Sequence, residues 1–133
     1  MSAPAYPLTG DALTDAVTDA MVSLHERYHR RTPATAKTHL MDGEMLACVM
    51  SGVYTDVEKT LIELERMPEV RATRSAFQGA MRETYVRVVQ RLSGRQVRAF
   101  IAQSHVGPDL EIELFLLDPA ASHPHSEVIA PAS

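Results

Sequence analysis

Tryptophan is missing from these 133 residues, the only other carbocyclic rings are three phenylalanines and four tyrosines, and cysteine occurs once. Cys48 therefore has no partner for an internal bridge, which excludes a disulfide scaffold and fits a reducing compartment. No window approaches the roughly 20 consecutive apolar residues that span a bilayer, so membrane insertion is not expected. Basic residues are not in surplus either. The net charge of -4 argues against a general nucleic-acid binder. The opening MSAPAYPLTG has neither the basic start nor the apolar run of a secretory signal, so the expected location is cytoplasmic, peripheral to a membrane only through a partner.

What is present is enough for one core. With 45% hydrophobic residues, a chain of this length can bury a continuous interior without metal or disulfide staples. Prolines and glycine at 1–10 suggest a flexible lead-in, 11–118 a single domain, and the Pro-, Ala- and Ser-rich stretch 119–133 a disordered tail.

Periodicity then divides the domain. Leu13, Val17, Ala20, Met21, Leu24 and Tyr28 recur at helical spacing, and Pro33 ends that helix. Asp42-Gly43 between two short apolar runs predicts a hairpin closed by a two-residue turn. That register sets Ala36, Thr38 and Leu40 with Met45, Ala47 and Val49 on one face, and Leu46, Cys48 and Met50 on the other. Thr55-x-x-Glu58 has capping-box spacing and starts a short helix to about Arg66. Pro68 opens a long second one, which Gly94 closes. Arg74 falls inside the apolar stripe of that helix, where a cation must find a partner or reach water.

The last hairpin runs from Gly94 to Leu117 around His105-Val-Gly-Pro-Asp109. Together these elements predict an α+β domain in the order helix, hairpin, helix, helix, hairpin. A largely antiparallel four-stranded sheet would be covered on one face by the two long helices.

Several motifs resemble the MpsC-like family, named for a component of a Na+-translocating membrane-potential-generating system. They are Gly52-Val53-Tyr54-Thr55 leading to Glu58-Lys59-Thr60-Leu61, Thr73-Arg74-x-x-Phe77-Gln78, Met81-Arg82, Gly94-Arg95-x-Val97-Arg98-x-Phe100, and His105-x-x-Pro108-Asp109 with Glu113-x-Phe115-x-Leu117. The resemblance spans Leu13 to Leu117. It implies a small soluble protein associated with a membrane ion or bicarbonate transport system, and it carries over no catalytic residues. It also implies a glycine-rich turn where this chain has Arg30-Arg31-Thr32-Pro33.

Four groups of residues compete for a functional role. His25-Glu26-Arg27-Tyr28-His29 fits H-E-x-x-H, in which two histidines one turn apart hold zinc. Without a third ligand at a recognised interval, His25 and His29 are weak metal candidates, and no cofactor is expected. A second group, His105 with Asp109 and Glu113, could do acid-base work, but with no nucleophile or oxyanion donor beside it turn building is the better explanation.

Third, seven arginines from Arg71 to Arg98 face one acid, Glu83. Arg74, Arg82 and Arg98, with His105, are candidates for holding a small anion. The competing account pairs Arg98 internally with Glu111 or Glu113. Last, alternation in the final hairpin assigns Val97, Ala99, Ile101, Ile112, Leu114 and Leu116 to the helix-covered side. Phe100, Phe115 and Leu117 would then face water, joined by Leu46 and Met50 from the first hairpin, as an interface. The favoured reading is a non-enzymatic accessory or regulatory protein that forms a homodimer through this face and serves a membrane transport component. A small-anion-binding protein or minor enzyme is the alternative.

Overall fold

A computed structural model describes residues 6–119; the expected tail falls almost wholly outside the described residues, as does the first half of the lead-in. The elements follow in the order α1 (Gly10–His29), β1 (Thr35–Met41), β2 (Met45–Ser51), α2 (Asp56–Glu63), α3 (Met67–Ser93), β3 (Val97–His105) and β4 (Leu110–Leu117). The strands form one antiparallel sheet ordered β1-β2-β4-β3, so each hairpin stays intact and the two join along β2 and β4. This is the α+β architecture expected.

Local signals account for the helix ends. Thr55 and Glu58 make the reciprocal capping box that starts α2, Pro68 sits in the first turn of α3, and Gly94 ends it in the left-handed conformation, φ 67°. A Cβ at Gly94 would lie 2.7 Å from Pro7 Cβ, so glycine is required there for space as well as for backbone angle. Pro7 and Leu8 close over this point, and the Leu8 amide donates to the Leu92 carbonyl at 2.8 Å. At the end of α1, Arg30 takes φ 58°. A non-glycine residue thus supplies the left-handed step for which the family resemblance implied glycine.

Both long helices lie on one face of the sheet, α1 over β1 and β2 and α3 over β3. Between them sit Leu13, Val17, Met21, Met81, Tyr85, Val89 and Leu92 from the helices, and Leu46, Cys48, Met50, Phe100, Phe115 and Leu117 from the sheet. Phe100 stacks on Phe115 at 5.0 Å and meets the edge of Tyr85 at 5.9 Å. Burial of each such ring contributes roughly 1.5–3 kcal/mol. Here the structure corrects the expected sidedness of both hairpins.

The first hairpin is joined by three residues, Asp42, Gly43 and Glu44, not two, so that Met41 pairs with Met45 and Leu40 with Leu46. A one-residue slip exchanges the faces of a strand. Leu46, Cys48 and Met50 consequently join Ala36, Thr38 and Leu40 beneath the helices. In the last hairpin Phe100 pairs with Phe115 on the covered face, whereas Ile101 and Leu114 point away from it. None of the five expected interface residues is at the surface: Leu46, Met50, Phe100, Phe115 and Leu117 are all core.

Candidate functional site

The face beneath the helices holds a charge network that explains this inversion. Arg74 projects from α3 into the core and is 3% exposed. Its Nε and Nη2 donate to the two Glu58 oxygens at 2.8 and 2.7 Å, Nη1 donates to Glu111 at 2.6 Å, and Nη2 also reaches the Val53 carbonyl at 2.9 Å. The guanidinium lies over the Tyr54 ring at 4.4 Å. Burial works against an ionised Glu58, but hydrogen bonds from Arg74 and Thr55 outweigh it and hold that carboxyl below its usual value. The Thr55 cap thus does more than start α2, since it aims Glu58 at Arg74.

Asp109 braces the same region from the other side. Its carboxylate accepts from the Val53 and Tyr54 amides at 2.9 and 3.2 Å, while the Tyr54 hydroxyl donates to the His105 carbonyl at 3.2 Å. The β3–β4 turn and the loop after β2 are therefore one unit, and the ring of His105 donates to the Pro108 carbonyl at 3.0 Å within that turn. His105, Asp109 and Glu113 do not converge: the first two build the turn and Glu113 lies in the core.

Glu113 is fully buried and neither of its oxygens meets a hydrogen-bond donor. Burial, reinforced by neighbouring Glu111, raises its carboxyl well above the ordinary value. It faces Cys48 across the β2–β4 pair. Burial, with Glu113 beside it, pushes that thiol up to about 12. Both ring nitrogens of His25 and Nε2 of His29 are likewise buried without partners. Burial lowers the affinity of both rings for a proton, and His29 falls to about 4 with help from His25.

The polar side chains of the H-E-x-x-H string do not converge on one point. The His25 and His29 rings stack at 4.4 Å, inclined by 35°, and His29 packs on Phe77 at 4.2 Å. Stacked imidazoles carry their lone pairs in the ring planes, side by side and not towards one point. Glu26 turns outward and accepts from Thr32 at 2.7 Å. Among the described residues no group of three or more His, Cys, Asp or Glu side chains is placed to hold a metal ion.

The four candidate anion ligands are dispersed. Arg74 is committed to Glu58 and Glu111, and Arg82 donates to the Phe100 carbonyl at 3.1 Å above the Phe100 ring. Arg98 bridges Glu44 and Asp118, at 3.3 and 2.9 Å, not Glu111 or Glu113. It stands at the opposite end of β3 from His105, about 23 Å away along an extended strand. Helix periodicity marks Arg74 as anomalous but does not identify the carboxylates that receive it, Glu58 and Glu111.

The other face of the sheet is open. Met45, Ala47 and Val49 on β2, Ile112, Leu114 and Leu116 on β4, and Ala99 and Ile101 on β3 form a continuous apolar field. Lys37 and His39 border it on β1, Gln103 and His105 on β3. Ile101 is 57% exposed. Because α2 packs against α3, among the described residues no helix or strand lies over this face. The arrangement has one face closed over the Arg74–Glu58–Glu111 network and one face free of covering helices and apolar. That describes a two-layer α+β domain.

The chain belongs to the MpsC family, described as "Na+-translocating membrane potential-generating system (MpsC)", whose model matches residues 9–119. No curated protein and no solved structure matches the chain. No helix among the described residues is long and apolar enough to cross a membrane.

Proposed function

We propose that this protein is a non-enzymatic accessory or regulatory component that self-associates through its open sheet face and serves a membrane Na+ or bicarbonate transport system from the cytoplasmic side. The observation that carries the reading is the apolar field around Ile101 and Leu114, which pair across β3 and β4 on that face. The family description supports the membrane setting. Two such faces pack as stacked sheets about 10 Å apart, with a two-fold axis near that pair.

The size of the face sets the strength of association. Four strands about 4.8 Å apart and seven residues at about 3.3 Å give roughly 450 Å² of projected area per copy. Two copies cover on the order of 900 Å², in the range of weak and transient contacts. The dimer is therefore concentration-dependent, with a dissociation constant on the order of micromolar or above. Sedimentation velocity over a range of loading concentrations tests this. A coefficient that rises towards a dimer value supports the reading, and a constant monomer value up to about 1 mM removes it.

A further inference from the structure

We infer that the free edge of β1, with the acidic wall of α1 beside it, is a docking groove for an extended basic peptide that adds to the sheet as a fifth strand. A cleft of about 640 Å³ runs between them, lined by Asp11, Thr14, Asp15 and Thr18 of α1 and by residues 36–40 of β1. Side chains alternate in a strand, so five consecutive residues can line one cleft only where it meets the strand edge-on. Its β1 wall is therefore peptide backbone, the surface that an added strand pairs with.

The two edges of the sheet are treated differently. Unpaired edges invite association, and proteins ordinarily blunt them. The β3 edge carries a bulge between Val97 and Ala99. Gln90 accepts from the Val97 amide at 3.0 Å, and Arg82 covers the Phe100 carbonyl. On β1, by contrast, the only backbone group that the described hydrogen bonds engage beyond its ladder with β2 is the Met41 carbonyl, at the turn.

Charge selects the occupant. Asp11 and Asp15 lie one turn apart on the cleft wall and Asp19 continues the row, and none of the three forms an ion pair among the described residues. Thr18 donates to Thr38 at 2.7 Å and fixes the spacing of helix and strand. Lys37 also lines the cleft, but it leaves β1 on the opposite face from Thr38 and as a single cation offsets at most one of the aspartates. An added strand would turn every second side chain towards the aspartates and the others towards the open apolar face. The recognised pattern is thus lysine or arginine at alternate positions with uncharged residues between. The chain's own segment 120–133 has no lysine or arginine and does not fit. Lys/Arg-rich segments border membrane-spanning helices, which agrees with a membrane partner, but the inference stands on the edge and its charge and not on the open-face reading.

The test uses the full chain and a labelled peptide of alternating lysine and valine, Lys-Val-Lys-Val-Lys-Val-Lys, followed by fluorescence anisotropy. Saturable binding is expected, weakened on the order of tenfold in the variant Asp11→Asn with Asp15→Asn. A peptide of the same composition in blocks, Lys-Lys-Lys-Lys-Val-Val-Val, should bind several-fold less tightly, because it cannot present the alternation. Should the double variant fold poorly by circular dichroism, Asp15→Asn alone is compared. No saturation by about 1 mM, equal binding of the two peptides, or indifference to the aspartates overturns the proposal. So does absence of peptide binding combined with a change in sedimentation on Asp11→Asn and Asp15→Asn, which would give the edge to a second copy. Loss of the dimer with peptide binding intact would remove only the open-face reading.

Discussion

Arg74 donates to Glu111 at 2.6 Å across 37 positions of sequence, and neither side chain is appreciably exposed. This pair, completed by Glu58, decides which face of β4 lies beneath the helices. A buried cation needs its counter-ions inside with it. Glu111 therefore turns inward, and the strict alternation of β4 takes Glu113, Phe115 and Leu117 with it.

Truncating Arg74 leaves two carboxylates in the core without their donor. Arg74→Ala should destabilise the fold by ~3–5 kcal/mol. Arg74→Lys should also be costly, because a single ammonium cannot reproduce the fork that engages Glu58 and Glu111 together. Urea unfolding measures both. A loss below ~1 kcal/mol for the alanine variant, the scale of an exposed ion pair, would mean that the network does not organise the core.

Stability should depend on pH through buried groups of opposite sign. His25 and His29 take up protons less readily in the folded chain, so their contribution is full above 6.5 and is lost as pH falls, for His29 between 6.5 and about 4. Glu58, held low, adds a further loss below 4.5. Glu113 acts in reverse. Its raised carboxyl gives full stability below 4.5 and loses it as pH rises towards the folded value. Where the windows overlap above 4.5, the histidine and carboxyl contributions oppose each other. Glu113→Gln should abolish the decline that this carboxyl contributes as pH rises above 4.5, whose limit is about 1.4 kcal/mol per pH unit for one proton. Melting temperature against pH for both proteins reads this directly, and superimposable profiles would contradict it.

Cys48 should be inert in the native state, since its thiol is buried and held near 12. The thiolate is the reactive form. Native protein at pH 8 should react with a disulfide reagent only as fast as it opens, and denatured protein at once. Rapid native labelling would place Cys48 elsewhere.

Much of this fold is legible in the residues. The order of elements, the Thr55–Glu58 box, the proline entry to α3 and the Gly94 stop all follow from local chemistry, because each depends on neighbours within a few positions. Sidedness does not. Alternation separates two faces, but when both are apolar it does not say which lies inside. Phe100 and Ile101 are equally good core residues, and a strand bearing glutamates invites the assumption that they face water. The corrective signal was Arg74, a cation in an apolar stripe, together with two acids at alternate positions on β4. Read jointly, they point inward. The first hairpin differs for another reason: Asp42-Gly43 predicts a two-residue turn, and the chain uses Glu44 as well, which exchanges the faces of β2.

The sidedness has a direct stability test. Phe100→Asp should cost at least ~3 kcal/mol or prevent folding, because it places an unpaired charge in the core. Ile101→Asp, one residue along, should change stability by less than ~1 kcal/mol. Chemical denaturation of the two separates them, and equal effects would contradict the assigned faces.

The most direct measurement of the central claim is sedimentation equilibrium at several hundred micromolar, comparing the natural chain with Ile101→Asp plus Leu114→Asp. The account predicts a monomer–dimer equilibrium for the first and a folded monomer for the second. A dimer that persists unchanged in the doubly substituted protein, or a natural chain that stays monomeric throughout, would contradict it.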